Sequence, residues 1–226
     1  MWRGHIAQGL TKIRECGELA ASADPHELAL ALRKPGAQIY VVYSGDAKSG
    51  GKVLEPLQRF GKPIKNTIAP TSYLAVQMWS DPPPIDPKHH YLKGGFVREY
   101  SSGLIKLLAD EIRPDNQSSI YCQNANGAVA DIPQTATAFS HRNAIANMML
   151  LCQWSEPSQD EPGRAAARAK WSKLAPFTDG YYVNLNDADP KGTDGNYGAN
   201  FSRMATLKKQ FDPMNLFRLN ANIRPA

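Results

Sequence analysis

Residues 28–46 read LALALRKPGAQIYVVYSGD, and the reading of this stretch decides the fold. Its alternation and β-branched content predict two strands, Leu28–Leu32 and Gln38–Ser44, turned through Pro35-Gly36. A hairpin of this kind starts an antiparallel sheet. Downstream, strands are expected at 119–123, near Val129, over 144–154 and over Tyr181–Leu185. Helices are expected around Ile6, Leu10 and Ile13, over Lys52–Phe60, over Phe96–Ile112 with a stripe of Phe96, Tyr100, Leu104 and Leu108, and over Arg164–Leu174. A last helix runs from Phe201 to about Gln210, with Asn200 as N-cap and Asp212-Pro213 as its stop. Hairpin and grouped strands together predict an α+β class, a mainly antiparallel sheet covered by helices on one face.

Composition narrows the function classes. With 226 residues, 42% of them hydrophobic, the chain can bury a sizeable core, so disorder is excluded. No apolar run approaches the ~20 residues of a membrane span, and the first residues lack a signal-peptide core. The chain reads as soluble and untargeted, cytoplasmic by default. The net charge is +5, and residues 201–226 supply most of it through Arg203, Lys208, Lys209, Arg218 and Arg224 against Asp212. No interleaving of aromatic and basic residues points to nucleic acid. Cys16, Cys122 and Cys152 form no CxxC pair, and the latter two fall in strand-like runs as small core hydrophobes. His89-His90 and the DADPKGTDG stretch from Asp187 lack the spacing of a metal site. No GxGxxG or GxxxxGK[ST] loop is present, so neither common nucleotide-phosphate loop is expected.

From Asp179 the sequence runs DGYYVNLNDADPKGTDGNYGANFSRMATLKKQFDPMNLFRLNANIRPA. It resembles the C-terminal segment of the berberine-bridge-enzyme-like FAD-linked oxidases, whose signature elements correspond to Tyr182, Asn184, Asp187, Tyr197-Gly198, Asn200, Arg203, Lys208, Phe211-Asp212-Pro213, Asn215, Phe217-Arg218 and Asn222–Pro225. Upstream, YSGDAKSGGKVLEPLQRFGKP, TSYLAVQMWSD, YLKGGF and TATAFSHR resemble that family's substrate domain in the same order. The resemblance implies a substrate-binding domain over 1–178 and a segment over 179–226 that returns to an N-terminal FAD-binding domain, in cis or in trans. That domain would carry most of the FAD contacts and the flavin-linked histidine.

The same resemblance implies oxidation of an alcohol, sugar or secondary metabolite by hydride transfer to FAD, with molecular oxygen as acceptor. Tyr182 becomes the candidate base, and strand alternation would put Asn184 on its face. Asn184, Tyr197 and Asn200 become candidate cofactor contacts, and Tyr73, Gln77, Lys93 and Met148 candidate substrate contacts. Phe139-Ser140-His141-Arg142 corresponds to a family Phe-Pro-His-Arg motif, able to anchor an acidic group or to shape the sheet. Where alkaloid-oxidising members carry a carboxylate, Asn147, Met148 and Met149 stand here. A flavin-free binding module that keeps the cavity without the redox chemistry is the alternative from another class. An exposed apolar face is expected where the flavin domain would pack.

Overall fold

The computed structural model describes residues 26–33, 36–59, 63–78, 89–111, 118–186, 193–219 and 221–226. The expected helix around Ile6–Ile13, Cys16, the Pro35 turn, Phe60 and the Asp187 to Asp189 turn lie outside the described residues. Strands β1 (His26–Arg33) and β2 (Gly36–Tyr43) form the expected hairpin. Short helices α1 (Ala47–Val53) and α2 (Glu55–Gln58) replace the single helix expected over 52–60. Asp46 fixes the entry, accepting the Lys48 and Ser49 N–H groups at 3.0 Å each, an N-cap that the sequence offers before the expected start. Then follow α3 (Tyr73–Met78), β3 (His89–Val97), α4 (Ser102–Glu111), β4 (Ser118–Asn124), β5 (Ala146–Trp154), α5 (Asp160–Leu174), α6 (Asp194–Tyr197) and α7 (Phe201–Phe211).

The strands make one antiparallel sheet in the order β2-β1-β4-β5-β3. Register fixes its two faces, because side chains alternate along each strand and paired residues share a face. Leu32, Ile120, Cys122, Met148, Leu150, Cys152, Trp154 and Val97 point to one face and join Leu104, Leu108, Ala167 and Leu174 of α4 and α5 in a single core. Trp154 Nε1 donates to Asp160 Oδ1 at 2.6 Å, and His89 Nδ1 meets the same oxygen at 2.8 Å, tying two strands to the start of α5. His89 is thereby committed to Asp160. Burial pushes the Cys122 thiol up to about 12, as expected of an inert core cysteine.

Three expectations are corrected. Phe96 belongs to β3, paired with Asn147, and α4 begins only at Ser102, where Ser101 Oγ accepts the Leu104 N–H. The Val129 strand is a 3-10 turn, Gly127–Val129. Tyr181–Leu185 is not a strand: an isolated bridge pairs Asp179, upstream of it, with Phe96, after which the chain enters a 3-10 turn over Val183–Leu185. Among the described residues no helix is long and apolar enough to cross a membrane, and no group of His, Cys, Asp or Glu is arranged to hold a metal ion.

Candidate functional site at the open face of the sheet

The second face of the sheet carries Gln38, Tyr40 and Val42 from β2, Ser119, Tyr121 and Gln123 from β4, Asn147, Met149, Leu151 and Gln153 from β5, and Leu92 and Phe96 from β3. Except for the buried Asn147 and Phe96 these side chains are half-buried, as a face without a helix over it should leave them. Tyr40 Oη donates to Gln38 Oε1 at 2.7 Å. One end of this face is closed by a ring cluster. His141 stacks on Phe96 with ring centroids 4.3 Å apart, and Phe139 packs on both edge-on.

The segment after α5 is brought to this end of the sheet by several ties. Asp179 N–H donates to Phe96 O at 2.8 Å, and its carboxylate pairs with Arg98. Gly94 N–H donates to Asn186 Oδ1 at 2.9 Å, while Asn186 Nδ2 donates to Tyr182 O at 3.0 Å. Asn196, buried, accepts the Val183 N–H at 2.8 Å. Tyr182 therefore stands at the β3 rim with its backbone held on both sides. Asn184 Nδ2 donates to Tyr182 Oη at 2.8 Å, so the pair read from the sequence is in contact. The contact arises through a 3-10 turn rather than through strand alternation.

His141 joins these parts. Both atoms facing its Nε2 are carbonyl oxygens, Gly195 O at 3.0 Å and Asn196 O at 3.1 Å, so Nε2 carries the hydrogen and donates. Burial, the largest cause, holds the imidazole below its ordinary 6.5, although the two carbonyls favour the protonated ring. A histidine whose folded value is lowered binds fewer protons folded than unfolded. Its stabilising contribution is complete above 6.5 and declines as pH falls below it. His141→Gln, which keeps an N–H donor without titrating, is expected to lose less thermal stability than wild type between pH 7 and pH 5, as followed by circular dichroism. His141 thus shapes the site rather than anchoring an acid. Arg142 likewise holds its loop, donating to Thr137 Oγ1 at 2.7 Å and Val129 O at 3.3 Å.

The other expected site residues divide between the two faces. Met148, fully buried at 0% exposure, lies in the helix-covered core, and Lys93 pairs with Leu150 on that same face. Neither offers surface to the open face; Met149 and Gly94 occupy the matching positions there. Tyr73, at 79% exposure, and Gln77 stand unenclosed on α3. Tyr197 ends α6 half-buried. Asn200 is buried at the N-cap position but makes no capping bond; its Nδ2 donates instead to Gln134 O at 2.8 Å and Thr137 O at 3.0 Å, pinning the loop before His141. Gln38, Tyr40, Tyr121, Gln123 and Asn147 were not singled out as contacts by the sequence reading. Period-two counting back from Trp154 would have sorted Met149 from Met148.

Beyond α7 the chain turns on Asp212. Its carboxylate accepts from Lys208 Nζ at 2.5 Å, Leu216 N at 2.8 Å and Phe217 N at 3.1 Å. The bond from Lys208 first, and then the two backbone N–H groups, hold this carboxyl below 3.8. The turn is therefore expected to persist as pH falls to 3.8 and to open only on further acidification through the lowered value. Amide shifts of Leu216 and Phe217 followed against pH would report this, and Asp212→Asn should show the open shifts at neutral pH. The turn leaves Phe211, Met214, Leu216, Phe217 and Leu219 largely exposed, Phe217 at 81%. These side chains form an exposed apolar surface beside the exposed Lys209 and Arg218.

Residues 181–224 match the family described as berberine and berberine like. A FAD-linked oxidoreductase of Dictyostelium discoideum is 27% identical over 217 residues, covering 92% of this chain and 48% of that protein. A monolignol oxidoreductase of Arabidopsis thaliana is 30% identical over 155 residues, 60% of this chain and 28% of the relative. The chain thus spans about half the length, or less, of the curated relatives it matches. Its fold is that of a solved chitooligosaccharide oxidase, which superposes with a TM-score of 0.80 at 18% identity over 100% of this chain and 53% of the other. The matched C-terminal segment and the relatives agree: the chain is similar to the berberine-bridge-enzyme-like FAD-linked oxidoreductases, with the family's C-terminal segment at residues 181–224.

Proposed function

We propose that this chain is the substrate-domain part of an FAD-dependent oxidase, in which Tyr182 removes the proton from a substrate alcohol. The observation that carries the reading is the Tyr182–Asn184 hydrogen bond at the rim of the open face, inside the segment that matches the family. The residues present fit the cofactor: on β4 and β5 the open face offers half-buried Tyr121, Gln123 and Met149, a floor suited to a ligand with a flat ring system. FAD, which a domain outside this chain would mainly hold, would supply the hydride acceptor for the substrate carbon. With Tyr182 acting as the phenolate, the alcohol O–H proton would pass to its Oη to leave a neutral phenol, while the carbinol carbon gives up its hydride and becomes a carbonyl. Asn184 donates to Tyr182 Oη and would favour the anionic form that acts as base. Asn184 and Tyr197 would contact the cofactor, whereas Asn200 would act through the loop it holds.

Tyr73 and Gln77 would contact substrate once the rest of the protein encloses them. The exposed apolar tail supplies the surface on which the FAD-binding domain packs, with molecular oxygen taking the electrons. The test is FAD content: protein isolated from its natural source, heat-denatured or digested, should release or retain FAD stoichiometric with this polypeptide. Colourless, flavin-free protein would overturn the reading in favour of a binding module.

A further inference from the structure

Of the chain's asparagines only Asn126 precedes a glycine, Gly127, in the loop that follows β4. An asparagine side chain can close on the next backbone nitrogen where that nitrogen lies on the Cβ side, its N–H is free, and the following residue has no side chain in the way. Asn126 has ψ of −164°. Because Cβ stands ~120° from N about the Cα–C bond, this ψ leaves the Gly127 nitrogen roughly 45° from Cβ, against about 80° in a helix and about 105° in a strand. The Asn126 carboxamide makes no capping bond, and among the described residues neither it nor the Gly127 N–H has a hydrogen-bond partner. Gly127, at φ of +74°, carries no Cβ to crowd the approach. Both residues are half-exposed and 128–138 beyond them are exposed, so water reaches the pair. Asp179-Gly180 and Asp194-Gly195 share the glycine, but an ionised carboxylate is a poor electrophile, and that of Asp179 pairs with Arg98.

We infer that Asn126 is a self-modifying site, which converts in water, without enzyme or cofactor, to a mixture of aspartyl and isoaspartyl linkages. Gly127 N loses its proton to a solvent base and bonds to Asn126 Cγ; the Cγ–Nδ2 bond breaks and ammonia departs, leaving a succinimide ring. Water then opens the ring. Attack at Cγ restores the normal chain with a side-chain carboxylate, whereas attack at the backbone carbonyl leaves the chain running through Cγ. No atom is oxidised or reduced. Either product adds a negative charge. The isoaspartyl product also lengthens the main chain just before the Gly127–Val129 turn, which Arg142 holds through Val129 O at 3.3 Å. Arg142 follows Phe139 and His141 in the chain, so the modification reaches the loop that closes one end of the open face.

The test incubates the folded 226-residue chain at mildly alkaline pH beside a synthetic peptide of residues 121–131, and follows both by peptide mapping with mass spectrometry and by isoaspartyl methyltransferase labelling. Asn126 should deamidate before every other asparagine, no more than about fivefold slower than in the peptide, because a free N–H in an open loop gives no protection. Asn126→Gln, whose longer side chain would have to close a larger ring, should abolish labelling of the 121–131 stretch. A rate more than about fivefold below the peptide's, earlier deamidation at another asparagine, or unchanged labelling in Asn126→Gln would each overturn the inference. Flavin takes no part in these readouts, so they stand or fall separately from the oxidase reading.

Discussion

Replacing Tyr182 by Phe is expected to slow anaerobic reduction of the bound FAD by substrate by a factor of ~10²–10⁴, the usual worth of a positioned general base. The substitution removes one oxygen and little volume. The ring keeps its place because Tyr182 is held through its backbone, by the Asn186 amide on its carbonyl and by Asn196 on the neighbouring Val183 N–H. Fold and flavin binding should therefore persist in the variant. Only the acceptor for the carbinol proton and the partner of Asn184 Nδ2 disappear. Stopped-flow bleaching of the oxidised flavin distinguishes the outcomes. A large fall in the limiting rate with saturation nearly unchanged supports proton removal by Tyr182, and a wild-type rate excludes it.

Gly180→Ala should be the most damaging substitution that touches neither substrate nor cofactor. Gly180 has φ of +64°, and a Cβ built there would lie 2.1 Å from His141 Cε1 and 2.5 Å from Gly195 O. The left-handed backbone costs an alanine ~1–2 kcal/mol, and the overlap adds ~1–3 kcal/mol of strain. Neither neighbour yields easily. His141 is fixed between the Phe96 ring and two carbonyls, and the other atom is backbone. The expected relief is a shift of the 180–186 segment off the β3 rim, carrying Tyr182 with it. Thermal unfolding should fall by several degrees. Flavin reduction should fall by at least about tenfold, since small misplacements at a reacting centre are costly. Retained stability and rate would mean that the segment is not held as described.

Much of this architecture was legible because it rests on periodicity. The alternation of LALAL and QIYVVY gives the hairpin, and the run before Trp154 gives β5, since half-buried strands must repeat every two residues. β3 escaped for a physical reason. Its centre, Lys93-Gly94-Gly95, has no hydrophobic alternation, and Gly95 is there because a Cβ would come within 2.6 Å of Thr178. Tyr181–Leu185 carries strand-like side chains yet forms a turn, because side-chain amides from Asn186 and Asn196 take the backbone groups that a neighbouring strand would otherwise satisfy. Tyr182 and Asn184 were found through the ordered C-terminal motifs. Which residues flank Asn147 and Met149 needed the register of β5 against β3 and β4, a long-range fact that local sequence does not contain.

If this chain presents substrate to FAD for oxidation, anaerobic mixing of the FAD-loaded protein with neutral alcohols and sugars should change the flavin absorption. An alcohol or sugar substrate is expected to bleach the oxidised flavin, and admitted oxygen to restore it. Flavin that no such compound reduces would contradict this reading.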